Sequence, residues 1–250
     1  MDAPSMTGQR PAYTRILLKL SGEALAGEGG TFFDPNVLRL VATEVRDITA
    51  RGVQAAIVVG GGNFVRGSDL SKRLGIDEVT GHTMGMLATV INGLALMDAM
   101  EQIGLVARVM SSIEMHQVAE PYIRRRALRH LEKGRVTIFV AGTGSPYFST
   151  DTAAALRAIE MGADALLMAK KGVAGVYDKD PRQHPDAVMF THLDYMDILN
   201  RDLRVMDATA AALCKDNNMD IVVFDVTRPG NITRAVVGEA IGTLVGSGRP

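Results

Sequence analysis

The chain has 250 residues, 47% of them apolar, with a formal net charge of −1 and a single cysteine. That length allows one large α/β domain or two small ones and a sizeable core, and the apolar content excludes a disordered chain. The balanced charge argues against a mainly nucleic-acid-binding protein, which carries a basic excess. The lone Cys214 excludes an intrachain disulfide framework and reads as a core thiol in a reducing compartment.

Met1 to Ala12 is polar and lacks an apolar signal core, so a flexible segment over residues 1–12 and a cytoplasmic location are expected. Strand-like apolar runs follow at 15–20, 54–59, 105–110, 136–141, 164–169 and 220–226. Most are continuous rather than alternating, as in strands buried on both faces. Helical patterns lie between them at 36–51, 83–103, 121–132, 151–161, 206–217 and 231–239, the first marked by Val37, Leu38, Val41, Val45 and Ile48. The apolar stretch from Met84 to Met100 is interrupted by Thr89, Asn92 and Asp98 and is shorter than the ~20 residues of a membrane span. It reads as a buried helix at a subunit contact. Region 172–203 breaks the alternation and is either a hairpin or lid over a nucleotide, or a long connection. Strand–helix alternation predicts an α/β fold: a mostly parallel central sheet with helices on both faces and ligands beyond the carboxyl ends of the strands.

Three glycine-rich turns fall at those ends: Lys19-Leu20-Ser21-Gly22, Gly60-Gly61-Gly62-Asn63 and Gly142-Thr143-Gly144-Ser145-Pro146. Glycine lets backbone N–H groups approach a phosphate, and a helix starting just beyond adds its positive end. With Lys19 and Arg66 beside two of the turns, the pattern predicts a site for several phosphates. No G-x-x-x-x-G-K-[ST] or completed G-x-G-x-x-G is present, so neither a Walker-type loop nor a dinucleotide site is supported. Lys19 can reach a transferring phosphoryl group, and the Arg66 fork suits phosphate oxygens. Asp151 opens the helix at 151–161 and reads either as its cap or as a partner that orients Lys19 and helps place Mg²⁺. Asp207 carries the same ambiguity, with a structural role favoured. The basic segment Tyr122 to His130 reads as a solvated helix face.

Taken in order, these motifs resemble the bacterial uridylate kinases of the amino-acid-kinase superfamily, from about Tyr13 to Val245. They are Arg15 to Leu25, Gly60 to Gly67, Met84 to Thr89, Ala141 to Asp151, Gly175-Val176-Tyr177 with Asp180-Pro181, and Val205-Met206-Asp207. The resemblance implies one amino-acid-kinase-like domain over 13–246 that phosphorylates UMP to UDP with Mg²⁺ and ATP. It assigns Lys19, Leu20, Ser21, Gly22, Gly62 and Arg66 to the ATP phosphates, and Lys171, Tyr177 and Asp180 to the adenosine side. Gly61, His82 and the stretch Thr143, Gly144, Ser145, Pro146, Tyr147, Phe148, Ser149, Thr150 fall to UMP. Gly27, Glu28, Gly29, Gly30, Thr31 and Phe32 match a segment tied to allosteric GTP. Lys19 and Asp151 become the catalytic pair, with no protein-borne metal ligands, GTP as activator, UTP as inhibitor, and a homohexamer without membrane or nucleic-acid partners.

Three positions depart from that pattern. His82 stands where an aspartate often faces the uridine sugar; a neutral imidazole still accepts one hydrogen bond. Lys171 replaces a usual Asn or Thr, and Ala174 a usual aspartate. Three further readings are weighed: a relative acting on a carboxylate or carbamate, a nucleotide-sensing regulator using the basic helix, and a non-catalytic oxyanion store.

Overall fold

The computed structural model describes residues 10–27, 31–65, 74–201, 203 and 205–246. In chain order its elements are β1 (Arg15–Leu20), α1 (Gly22–Leu25), α2 (Pro35–Ala50), β2 (Gln54–Val59), α3 (Glu78–Glu101), β3 (Ala107–Ser111), β4 (Glu120–Pro121), α4 (Arg124–Glu132), β5 (Val136–Val140) and α5 (Thr150–Met161). There follow β6 (Ala165–Lys170), β7 (Val176–Tyr177), β8 (Met189–Phe190), β9 (His192–Leu193), α6 (Tyr195–Asn200), α7 (Ala208–Asp216), β10 (Asp220–Asp225), α8 (Asn231–Val236) and β11 (Thr243–Val245). Nine strands form one sheet in the order β4-β3-β5-β2-β1-β6-β10-β11-β9. It is parallel except where β11 runs against β10, with β9 following β11.

β1 lies inside this sheet and is buried on both sides from Ile16 on, which is why its sequence is apolar apart from Arg15 at its start and Lys19. Ile16, Leu18 and Leu20 join one core with α1, α2, α3 and α8, whereas Leu17 faces the other core with α4, α5, α6 and α7. Lys19 shares the face of Leu17, where α5 packs. Two registers bring the site together: Leu20 pairs with Val59 of β2 and with Ala169 of β6. Ser21, Gly60 and Lys170 therefore emerge side by side at the carboxyl rim. The pairing of Val58 with Phe139 brings the turn after β5 to the same rim.

The expected α/β architecture is borne out, and the differences lie at element ends. α3 begins at Glu78 rather than 83, because Asp77 caps it through the Thr80 N–H (3.0 Å), and a polar first turn leaves no apolar stripe. The helix expected from 121 begins at Arg124, because Pro121 is still paired with Ser111 of β3. Region 172–203 contains the antiparallel pair β7–β8, so it forms a hairpin, followed by β9 and α6. Among the described residues α3 alone is long and apolar enough to cross a membrane. Here it is a core helix: Val90, Leu96 and Met100 pack on the sheet, and its polar Thr89 and Asn92 are buried as well. Cys214 is buried in the α7 side of the core, and burial pushes its thiol up to about 12, so it is an inert packing residue. Ala12 already bonds to α8, its N–H reaching the Val236 carbonyl at 2.9 Å.

Candidate active site

Lys19 Nζ lies 2.6 Å from Asp151 Oδ1, with the two side chains only 7% and 18% exposed. The helix-start ambiguity resolves in favour of this pair. Ser149 is the cap of α5, its Oγ accepting from the N–H groups of Asp151 (3.0 Å) and Thr152 (3.1 Å). The Asp151 carboxylate is thereby left to Lys19. Burial works against its charge, but Lys19 and then Lys170 outweigh burial and hold the carboxyl below the ordinary aspartate range. Lys170, at the end of β6, donates to the Val205 carbonyl at 2.7 Å. Burial pushes its ammonium below the ordinary lysine value; the Asp151 charge resists this and the Lys19 charge adds to it.

Lys19 and Lys170 border a cavity of about 800 Å³ whose wall also includes Ser21, Gly22, Gly61, Gly62, Thr150 and Lys171. Seven of the expected residues are thus brought to one space. The glycines are there for close approach. A Cβ on Gly22 would come within 2.6 Å of the Gly62 nitrogen, and one on Gly61 within 2.7 Å of the Gly85 carbonyl oxygen. Asn92 of α3 braces the triple-glycine turn, donating to the Gly60 carbonyl (2.6 Å) and to Asn63 Oδ1 (2.7 Å). Leu20 contributes backbone alone, because its side chain is fully buried. The Ser21 hydroxyl accepts from the Ala24 N–H and caps α1.

Lys171 reaches away from β6 to the Ala26 carbonyl at 2.8 Å, tying the cavity rim to the segment that begins at Gly27. The Gly27 N–H bonds to the Thr31 carbonyl, and the Phe32 ring stacks on Phe64 with centroids 4.4 Å apart. Tyr177 and Asp180 sit on the β7–β8 hairpin, where Asp180 Oδ1 accepts from the Arg182 N–H (3.0 Å) and Arg182 joins the cavity wall. Arg66, Glu28, Gly29 and Gly30 lie outside the described residues.

The loop from Ala141 to Ser149 leads into α5 and contains Thr143, Gly144, Ser145, Pro146, Tyr147 and Phe148. Ala141, Gly142, Gly144 and Tyr147 all have positive φ, from 56° to 83°. His82 Nδ1 accepts from the Tyr147 N–H at 2.8 Å, and the two rings meet edge to face. His82 thus accepts its one hydrogen bond from the loop. Its one acceptor nitrogen is already engaged, so what remains is an Nε2–H donor. Asp207 has the structural role favoured for it. It caps α7 through the Ala210 N–H (2.9 Å) and accepts hydrogen bonds from the Ser149 and Thr152 hydroxyls.

Sequence reasoning missed Lys170, Glu23 and Arg182, all of which border the cavity. A lysine closing an apolar run, as Lys19 does, was the available signal for Lys170; the other two depend on folding. Along the basic helix, Arg126 faces Glu120 (4.0 Å), Arg129 faces Glu132 (3.3 Å), and Arg124 donates to the Glu160 carbonyl. These pairings fit a solvated face.

A match to the amino acid kinase family spans residues 14–225, over every strand of the sheet but β11 and every described part of the cavity. The chain belongs to the amino acid kinase family. Among solved structures, a Bacillus anthracis UMP kinase is 42% identical with a TM-score of 0.91, covering 96% of this chain and 98% of its own. A Ureaplasma parvum UMP kinase is 38% identical with a TM-score of 0.88, covering 94% and 99%. An Archaeoglobus fulgidus uridylate kinase is 27% identical with a TM-score of 0.72, covering 92% and 99%. The resemblance read from the sequence is thereby borne out.

Proposed function

We propose that this family member phosphorylates UMP to UDP with ATP, as one domain over 13–246 in pyrimidine nucleotide synthesis. The observation that carries the reading is the Lys19–Asp151 pair at a cavity bordered by glycine turns. Likeness to UMP kinases over nearly the whole chain supports UMP as acceptor.

An oxygen of the UMP phosphate attacks the γ-phosphorus in line. The new P–O bond forms as the bond from that phosphorus to the β,γ-bridging oxygen breaks, and ADP leaves. No general base is needed, because a phosphate monoester with a second pKa near ~6 is mostly dianionic at neutral pH. Catalysis then rests on position and charge. Lys19 neutralises charge on the transferring group, Asp151 orients Lys19, and Lys170 adds a second cation beside them. Glycine N–H groups of Gly22 and Gly62 cradle the ATP phosphates, with Arg66 assigned beside them. Lys171, Tyr177 and Asp180 serve the adenosine side, and Gly61 with the loop Thr143–Thr150 serves UMP.

Among the described residues no group of three or more His, Cys, Asp or Glu could hold a metal by itself. Glu23 on the cavity wall and Asp151 paired with Lys19 would suit Mg²⁺ arriving on ATP, since that ion needs only one or two carboxylates beside phosphates and water. The ion would supply charge neutralisation at the phosphate oxygens.

We further propose GTP activation through the segment from Gly27 to Phe32, UTP inhibition, a cytoplasmic location and a homohexamer. The exposed Met84, Leu87 and Ile91 along one side of α3 support assembly; sedimentation of the purified protein tests its size. The deciding experiment is ADP release with Mg-ATP and a panel of UMP, CMP, dUMP, aspartate, glutamate and carbamate. Turnover with UMP alone is expected, rising with GTP and falling with UTP. Turnover with an amino acid or carbamate, or UMP binding without turnover, overturns the reading.

A further inference from the structure

The Ala141–Ser149 loop is held in an unfavourable backbone shape. Non-glycine residues at positive φ cost on the order of 1 kcal/mol or more and persist where surrounding structure holds them. Here Ala141 has φ 60° and Tyr147 φ 70°. Each strained point has an external pin. The Ala141 N–H donates to Thr89 Oγ1 (2.7 Å), Ser112 Oγ donates to the Gly142 carbonyl (2.9 Å), and the Tyr147 N–H donates to His82 Nδ1 (2.8 Å). The first two pins sit at the sheet end of the loop. His82 is the pin at the far end, close to the loop tip, where Tyr147 is 66% and Phe148 54% exposed.

We infer that His82 is a positioning residue that latches the acceptor loop from α3 by holding Tyr147 in its left-handed conformation. This rests on the reading of Thr143–Thr150 as the UMP side. The latch needs the tautomer with the proton on Nε2, since only an unprotonated Nδ1 accepts the Tyr147 N–H. An aspartate here would offer acceptor oxygens only. The histidine uses its acceptor on the loop and keeps an Nε2–H donor beside it. Loop order, rather than phosphoryl transfer, is what the latch controls, so its loss falls on UMP binding.

The test combines long-range ¹H–¹⁵N spectra of the imidazoles with H82A, H82N and H82Q. Asn places an amide oxygen near the position of Nδ1, whereas Gln reaches toward Nε2. Among the five histidines, the one whose signals vanish in H82N is His82, and it is expected to be the Nε2-protonated tautomer. H82A and H82Q are expected to raise KM for UMP about three- to tenfold, the worth of one neutral hydrogen bond, with kcat and KM for ATP little changed. H82N should stay within about twofold of the parent. Hydrogen exchange at the Tyr147 amide should quicken in H82A and not in H82N. An Nδ1-protonated ring, or H82N as impaired as H82A, overturns the latch. If no acceptor is phosphorylated at all, the proposed function fails while the tautomer and the Tyr147 exchange still decide this inference.

Discussion

Replacing Asp151 by Asn removes the only negative charge paired with Lys19 in the described structure, at a contact of 2.6 Å between side chains that are 7% and 18% exposed. At an effective dielectric near ~20 the raw attraction at that distance is about 6 kcal/mol. Desolvation offsets much of it, and breaking such a pair leaves an uncompensated cation, which costs about 3 kcal/mol. For a chain of this size that lowers Tm by roughly 6–12 °C. The companion variant, K19M/D151N, has no stranded Lys19 charge and should recover at least half of the loss, a coupling of roughly 2 kcal/mol. Because the Asp151 carboxyl is held below its ordinary value, the pair stabilises the fold above the ordinary aspartate range and is lost as pH falls through the native value. The parent-minus-D151N difference should therefore be flat from neutral pH to about pH 5 and shrink in stronger acid. Denaturant unfolding with coincident probes measures all of this, and kcat of the double variant should remain down by roughly 10²–10³-fold. A double variant no more stable than D151N, or a gap indifferent to acid, refutes the reasoning.

Lys170→Met should not lower Tm at neutral pH while cutting kcat by roughly 10²-fold. The depressed ammonium makes the unfolded chain bind more protons, so the parent's stability rises with pH up to the ordinary lysine value of 10.5, a slope the Met variant should lack. Gly61→Ala drives a Cβ to 2.7 Å from the Gly85 carbonyl oxygen and should destabilise by about 1–3 kcal/mol; Gly62→Ala meets only the movable Glu23 side chain at 3.2 Å and should fold near parent stability while weakening ATP. Equal Tm losses in thermal scans would contradict that contrast. Asp207→Ala removes the cap of α7 and the acceptor for Ser149 and Thr152, for a loss of roughly 2 kcal/mol. Asp207→Asn, which still caps α7, should lose about half as much in the same scans.

Much was determined by the sequence alone. The continuous apolar runs at 15–20, 54–59 and 136–141 identified buried parallel strands, because such strands need apolar side chains on both faces. The glycine turns after the first two marked the rim of the cavity, because only glycine admits that close backbone approach. Lys19 and the role of Asp207 were legible from position within those signals. Tertiary structure decided which of Ser149, Thr150 and Asp151 caps α5, since all three residue types suit a cap and only packing against β1 shows which carboxylate meets Lys19. It also decided that Lys170 joins the pair, through the register of β1 with β6, and that His82 spends its acceptor on Tyr147, 65 residues away. Local residues write the period and the turns. Which distant side chains meet is set by sheet order and helix packing, and neither is encoded in any one segment.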